Sequence, residues 1–159
     1  MNGKVIVLMG SKSDLDFCRK IGEYLEKFGL KYEYRVASAH KTPQKVLSIL
    51  KEYENLNVVY VTVAGRSNAL SAFIDANTTK PVIACPPYSE EFAGVDIYSS
   101  LRLPSGIGSV VILEPEGAAI AATKILALND TALAKKIQKY QDEKKKELDT
   151  ADQEIRRKG

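Results

Sequence analysis

Three short polar segments carry the residue types that could do chemistry. They read MGSKSD at 9–14, SAHKTP at 38–43 and AGRSN at 64–68. Their serines, lysines and arginine are donors and cations of the kind that bind phosphate or carboxylate. The second segment holds His40, the only histidine in the chain, and histidine can move a proton near neutral pH. These types favour a site for a phosphorylated small molecule, with one group for proton transfer.

The first segment lies between an apolar run and a helix-like run. Ser11 and Ser13 supply hydroxyl donors at the start of that helix, where free backbone N–H groups attract phosphate. The segment matches neither GxxxxGK[ST] nor GxGxxG, so a nucleoside triphosphate or a dinucleotide is not indicated and a monophosphate remains open. Asp14 has two interpretations: it accepts hydrogen bonds from ribose hydroxyls, or it is the N-cap of the helix.

In the second segment, Ser38 and Lys41 flank His40. A lone histidine is often only a packed or surface residue. This one follows a predicted strand and precedes a predicted helix, and that place favours a functional role. Lys41 is either a counter-charge for phosphate or a solvated surface lysine.

The third segment follows a Val- and Tyr-rich run. Gly65 is expected to give backbone freedom. Arg66, Ser67 and Asn68, with the backbone N–H groups, offer a guanidinium, a hydroxyl and an amide, a set that suits a small anion or a developing carboxylate. The alternatives are a surface salt bridge for Arg66 and an N-cap for Ser67.

Hydrolytic chemistry has little support. No GxSxG elbow is present, and the single histidine has no obvious serine or cysteine partner. Cys18 and Cys85 lack a CxxC pattern and are interpreted as small buried side chains. One histidine also excludes a zinc site with two or more histidines. Proton transfer at carbon, or carboxyl-group chemistry, therefore fits better.

The elements that must position these segments alternate along the chain. Strand-like runs lie at 4–10, 31–38, 57–64, 80–87 and 109–115, and helix-like runs at 14–29, 42–54, 67–78 and 116–128. This order predicts a three-layer α-β-α fold with a central parallel sheet, flavodoxin-like or Rossmann-like. Ligands bind beyond the carboxyl ends of such strands, so the three polar segments are expected on one rim.

We expect one catalytic domain over residues 1–128, with 129–159 as its C-terminal helical extension. The extension carries a thin apolar stripe, formed by Leu133, Ile137, Tyr140, Leu148, Ala151 and Ile155. We interpret it as an oligomer contact, with a solvated, fraying tail as the alternative. The long connection at 87–109 is expected to be functional or disordered.

Charge and hydropathy limit the partners. A net charge of +3 in 159 residues is small and does not favour nucleic-acid binding. No run of 18 apolar residues predicts a membrane span, and the first residues lack the pattern of a signal peptide. A cytoplasmic protein is expected.

Taken together, MGSKSD, SAHKTP and LPSGIG (103–108) resemble the family that acts on aminoimidazole ribonucleotide in purine biosynthesis. The resemblance covers about residues 4–128. In class I, a mutase of N5-carboxyaminoimidazole ribonucleotide, Gly-Gly-Ala-Ala-His typically follows the third strand. Gly-Arg-Ser-Asn-Ala at 65–69, CPP at 85–87 and SSLRLPSG at 99–106 are instead similar to class II, a carboxylase that uses carbon dioxide directly.

The resemblance implies a role for each matching residue. His40 would move the proton at the imidazole carbon. The phosphate and ribose would be bound by Ser11, Ser13, Asp14, Ser38 and Lys41, and carbon dioxide and the new carboxylate by Gly65, Arg66, Ser67 and Asn68. Class I typically has arginine where Lys41 stands, and a lysine cannot make the same bidentate contact.

The resemblance further implies reversible carboxylation without ATP, biotin, metal or other cofactor. It also implies a homo-octamer with sites at subunit boundaries. The class I mutase is the alternative activity. A non-enzyme alternative is a flavodoxin-like receiver or nucleotide-binding module, but a receiver needs an acidic cluster after the first strand, and LMGSKSD holds one acid.

Overall fold

The computed structural model describes residues 3–158. Its strands are β1 (Lys4–Met9), β2 (Lys31–Val36), β3 (Val58–Val63), β4 (Val82–Ala84) and β5 (Val110–Val111). Its helices are α1 (Leu15–Lys27), α2 (Pro43–Tyr53), α3 (Ala69–Asp75), α4 (Tyr98–Leu101), α5 (Pro115–Ala127) and α6 (Thr131–Lys158). Short 3-10 helices lie at Lys12–Asp14 and Glu91–Ile97.

The five strands form one parallel sheet in the order β2-β1-β3-β4-β5. Central β1 pairs along its whole length with β2 on one side and β3 on the other. The chain therefore runs outward from β1 to β2 and then returns to the opposite side of β1. The loops after β1 and β3 part at this reversal, which opens a crevice at the carboxyl ends of the strands. The predicted α-β-α architecture is confirmed.

Both faces of the sheet are covered, which explains why β1 and β3 are continuous apolar runs. Val5 and Val7 point toward the layer that contains α1, α5 and the start of α6. Ile6 and Leu8, one residue out of phase, pack with α2 and α3 on the other face. Alternate side chains of a single strand thus belong to two cores, as the two-residue period of a strand requires.

Two helix ends carry local signals in the sequence. Gly29 lies just after α1 with φ of 69°, and its N–H donates to the Glu26 carbonyl at 2.8 Å. Thr42 precedes α2 and Pro43 is the first residue of that helix. The Thr42 hydroxyl makes no cap bond to α2 and instead accepts from the Ser38 N–H at 3.0 Å.

The strands beyond β3 are shorter than predicted. The run at 80–87 contributes only Val82–Ala84, because prolines at 81, 86 and 87 have no N–H to donate to a sheet ladder. The run at 109–115 contributes only Val110–Val111, at the edge of the sheet. The long connection between them is partly helical: it contains the second 3-10 helix and α4, which the sequence did not predict.

Helix α6 begins on the domain and ends away from it. Leu133 and Ile137 are buried, and the Tyr140 ring meets the Phe28 ring edge-on at 5.3 Å. Further along the same predicted apolar stripe, Leu148 is 73% exposed, and Ile155 is also mostly exposed. Among the described residues, no helix is long and apolar enough to cross a membrane.

Candidate active site

A cavity of about 580 Å³ lies at the carboxyl ends of β1, β2 and β3. The three polar segments converge on it, as the rule for parallel sheets predicts. The predicted site residues that line it are Ser11, Ser13, Asp14, Ser38, His40, Lys41, Gly65, Arg66 and Ser67. Asn68 is the exception and lies behind the cavity wall. Tyr88, Ser89 and Glu91, which the sequence did not predict, close one side.

The loop after β1 presents a hydroxyl donor to the cavity. The Ser11 Oγ accepts from the Ser13 N–H at 3.3 Å and from the Ser13 hydroxyl at 2.9 Å. The two hydroxyls use one of their protons between them, so the other proton is available. A phosphate oxygen accepts such a proton, and α1 begins four residues after Ser11.

Asp14 occupies the N-cap position of α1, but its side chain makes no capping hydrogen bond. Its carboxylate is therefore free to face the cavity, which favours the ribose interpretation over the N-cap interpretation. Partial burial raises the pKa of Asp14, and a backbone hydrogen bond at Ser11 opposes part of that rise. Hydroxyl donors from a ligand would compensate for the water that this carboxylate has lost.

The loop after β2 is a compact turn with His40 at its exposed tip. The Ser38 hydroxyl accepts from the Lys41 N–H at 3.2 Å, and the Thr42 N–H donates to the Ser38 carbonyl at 2.9 Å. The Ser38 hydroxyl itself donates to no described residue. Its proton and the exposed Lys41 ammonium are suited to the same anionic group.

In the loop after β3, Arg66 carries the unusual backbone conformation. Its φ is 59°, in the left-handed region, whereas Gly65 does not have a positive φ. The unusual backbone conformation that was expected at Gly65 therefore occurs one residue later, at Arg66, which carries a side chain. An L residue in this region is strained, and such strain is concentrated at functional sites.

The Arg66 side chain stays exposed and meets Glu91 at 3.9 Å, with both groups mostly in solvent. The surface salt bridge considered from the sequence therefore exists. It is long and screened, so it contributes little and leaves the guanidinium available at the cavity.

Asn68 is a buried anchor. Only 2% of it is exposed, its Nδ2 donates to the Ser100 Oγ at 2.9 Å, and its Oδ1 accepts from the Ser71 N–H at 3.4 Å. Asn68, not Ser67, is therefore the N-cap of α3. Its side-chain amide is already used within the chain, so the contact that the resemblance implies between Asn68 and carbon dioxide has no support in this geometry.

A second cavity, of about 430 Å³, adjoins the first behind the loop after β3. The two cavities share Ala64, Gly65, Arg66, Pro87, Tyr88 and Ser89. The wall of the second is more apolar and includes Phe17, Ile97 and Leu113. Gly65 and Arg66 thus line both a polar space that suits a sugar phosphate and a more apolar space beside it.

The LPSGIG segment lies outside both cavities of its own chain. Gly106 has φ of 85°, and a Cβ at this position would have no described atom within 4 Å. The Gly108 N–H donates to an Asp75 carboxylate oxygen at 2.7 Å. This segment helps to carry the resemblance, and within the single chain it lines neither cavity.

The remaining reactive groups lie apart from the cavity. Burial raises the pKa of the Cys18 and Cys85 thiols to about 12, and both side chains are fully buried, as predicted. Within residues 3–158, no three His, Cys, Asp or Glu side chains are grouped so that they could hold a metal ion. The groups that line the cavity are thus donors, two cations, two carboxylates and one imidazole.

Comparison with known proteins gives one family. The model of the AIR carboxylase family matches residues 4–147. The phosphoribosylaminoimidazole carboxylase of Archaeoglobus fulgidus is 56% identical over 153 residues, which cover 96% of this chain and 85% of that protein.

Two further relatives agree with this match. The bifunctional phosphoribosylaminoimidazole carboxylase/phosphoribosylaminoimidazole succinocarboxamide synthetase of Mus musculus is 50% identical over 80% of this chain, which spans 30% of that longer protein. The crystal structure of Treponema denticola PurE superimposes with a TM-score of 0.94 at 46% identity, covering 96% of this chain and 98% of the other.

Proposed function

The chain belongs to the AIR carboxylase family, and from this premise we infer that it adds carbon dioxide to the ring carbon of aminoimidazole ribonucleotide in purine biosynthesis. The observation that carries the inference is the convergence of three loops on one cavity. That cavity combines hydroxyl donors and Lys41 with His40 and the Arg66 guanidinium. One end suits a ribose phosphate, and the other suits an atom that gains negative charge.

The ribonucleotide is held by its sugar phosphate. The phosphate accepts from one hydroxyl of the Ser11–Ser13 pair, from the Ser38 hydroxyl and from the Lys41 ammonium. The ribose hydroxyls donate to the uncapped carboxylate of Asp14. These contacts place the imidazole toward the loop after β3 and fix its ring carbon for attack.

The carbon–carbon bond forms without a metal because both reactants are already suited to it. The amino group makes the imidazole an enamine, so the ring carbon donates an electron pair to the carbon of carbon dioxide. One carbon–oxygen π pair moves to oxygen and gives a carboxylate beside Arg66 and Ser67. The ring carbon still bears its proton, His40 accepts it, and the ring regains its aromatic electrons.

The same groups serve the reverse reaction. Protonated His40 returns the proton to the ring carbon, and the carboxylate leaves as carbon dioxide. The activity is therefore that of a carboxy-lyase, and neither direction consumes ATP. The curated relatives that support the inference are named as carboxylases. Arg66 follows β3 at the position where class I has glycine, which favours the carboxylase over the mutase.

The open side of the cavity and the end of α6 support a homo-oligomer as the working form. His40 and Lys41 are exposed in the single chain, and so are Leu148 and Ile155 on the far half of α6. We assign to the oligomer the role of covering these surfaces, with an octamer as the proposed assembly in the cytoplasm. Light scattering at micromolar concentration that finds only monomer would overturn this assembly.

The substrate test compares two compounds on the purified protein. With aminoimidazole ribonucleotide and dissolved carbon dioxide, without ATP, the carboxylated ribonucleotide should accumulate. The N5-carboxylated isomer should be converted little or not at all. Efficient conversion of that isomer, together with no response to dissolved carbon dioxide, would replace the carboxylase by the mutase.

A further inference from the structure

A segment with no predicted role holds the loop after β3 in place. Asp96, Ser99 and Ser100 lie in the long connection, at the junction of the second 3-10 helix and α4. They contact Arg66 and Asn68 across a separation of about thirty residues. We call Asp96, Ser99 and Ser100 the clamp, and residues 66–68 the clamped loop.

Asp96 acts on the strained residue itself. One oxygen of its carboxylate accepts from the Arg66 N–H at 3.2 Å. The Ser99 hydroxyl has a single proton and donates it to the Asp96 carbonyl at 2.7 Å, while the Arg66 carbonyl lies 3.1 Å from the same oxygen. The Arg66 N–H is therefore bonded to Asp96, and this contact stabilises a left-handed conformation that an arginine otherwise disfavours.

Ser99 and Ser100 fix the other end of the loop. The Ser99 Oγ accepts from the Asn68 N–H at 2.9 Å, and the Ser100 Oγ accepts from the Asn68 Nδ2 at 2.9 Å. Asn68 and Ser100 are 2% and 1% exposed, so water cannot replace these partners. The buried end of the loop is therefore rigid, while Arg66 and Ser67 remain at the surface of the cavity.

We propose that Asp96 is a positioning residue for carboxylation: by holding Arg66 left-handed, it aims the guanidinium at the carboxylate that forms in the cavity. The proposal rests on the proposed function of Arg66. A loop free to relax would turn this side chain away, because a change of φ from left-handed to ordinary values reorients everything attached to the Cα. The Asp96 carboxylate binds a backbone N–H and also lines the second cavity, so a double variant with Arg66 is needed to test whether its effect passes through Arg66.

This role predicts a particular kinetic signature. The sugar phosphate is held by other loops, so the KM for aminoimidazole ribonucleotide should change little when the clamp is weakened. The turnover number should fall, since the guanidinium acts on charge that develops during reaction. A carboxamide at position 96 keeps an oxygen that can accept from the Arg66 N–H, so Asp96→Asn should keep most of the activity that Asp96→Ala loses.

The experiment measures carboxylation by Asp96→Ala, Asp96→Asn and the control Glu90→Ala. The control removes an exposed carboxylate from the same segment, outside both cavities. Asp96→Ala should lose turnover on the order of tenfold, as expected for a misplaced catalytic group. The KM for the ribonucleotide should stay within about twofold. Asp96→Asn and Glu90→Ala should stay near the unsubstituted protein.

The double variant with Asp96→Ala and Arg66→Gly tests whether Asp96 acts through the Arg66 guanidinium. If Asp96 acts only through the guanidinium, Asp96→Ala should reduce turnover by less than about twofold in the Arg66→Gly protein. A further tenfold loss there would overturn the proposal, as would full turnover in Asp96→Ala or equal losses in Asp96→Ala and Asp96→Asn. Should Asp96→Ala fail to fold, Asp96→Leu, which keeps the size of the side chain and lacks the acceptor, carries the same expectations. Failure of the unsubstituted protein to carboxylate would refute the proposed function instead.

Discussion

Replacement of Arg66 by glycine should raise the stability of the protein and lower its activity. Its φ of 59° lies in the left-handed region, where an L side chain costs about 1–2 kcal/mol. Glycine removes that cost, although its greater freedom in the unfolded chain destabilises the folded state by about 0.5–1 kcal/mol. The exposed Arg66–Glu91 pair at 3.9 Å contributes little. Arg66→Gly should therefore raise the free energy of unfolding by roughly 0.5–1 kcal/mol, while carboxylation falls because the guanidinium is gone.

Arg66→Ala and Arg66→Asn are the matched controls, since both also lack the guanidinium. Alanine keeps the full left-handed cost, whereas asparagine tolerates this region better than most residues. Urea unfolding at one protein concentration should rank Gly at or above Asn and both above Ala, with about 1 kcal/mol between Gly and Ala. All three should lose turnover on the order of tenfold or more.

Two results would refute this reasoning. Equal stability of the Gly and Ala variants would mean that position 66 is not left-handed in solution. Turnover at the unsubstituted level in any of the three variants would mean that the guanidinium does not stabilise the new carboxylate.

Four other predictions concern separate parts of the site and core. His40→Asn should lose turnover on the order of a hundredfold or more with the ribonucleotide KM nearly unchanged, and near-normal turnover would remove His40 from the mechanism. Asn68→Ala should lower the free energy of unfolding by about 1–3 kcal/mol in urea, because the Ser100 hydroxyl loses its donor in a buried place; unchanged stability would argue against the buried anchor. Burial raises the pKa of Asp14, so the folded state holds this proton more tightly than the unfolded state, and the contribution of Asp14 to stability falls as pH rises above 3.8. The stability of Asp14→Asn relative to wild type should therefore increase from pH 3 to pH 7, and the opposite trend in unfolding curves would contradict this. Cys18 and Cys85 should resist a thiol reagent in the native protein at pH 8 and react only on unfolding, and rapid native labelling would disprove their burial.

The sheet could be predicted because its signals are local. The apolar runs of β1 and β3, the glycine after α1 and the proline that begins α2 each act over a few residues. The rule that places loops at the carboxyl ends of parallel strands then brought nine of the ten predicted residues to one cavity. The composition and order of the segments were therefore sufficient to predict the sheet and the loops that meet at its rim.

The clamped loop could not be predicted, because its structure depends on residues far away in the chain. An asparagine after a glycine and two polar residues suggests exposure, and only the Ser100 hydroxyl, 32 residues later, allows Asn68 to be buried. Likewise, Gly65 was the natural candidate for a left-handed backbone, and Asp96 stabilises that conformation at Arg66 instead. No pattern around 96–100 indicated that partnership.

The central claim is that dissolved carbon dioxide itself is the reactant at the cavity that holds His40 and Arg66. It is tested most directly by supplying labelled carbon either as carbon dioxide or as bicarbonate, without ATP, and measuring incorporation into aminoimidazole ribonucleotide before the two forms equilibrate. The claim predicts an immediate rate with labelled carbon dioxide, a lag with labelled bicarbonate, and loss of both in His40→Asn. An immediate rate with bicarbonate, or a rate that requires ATP, would contradict it.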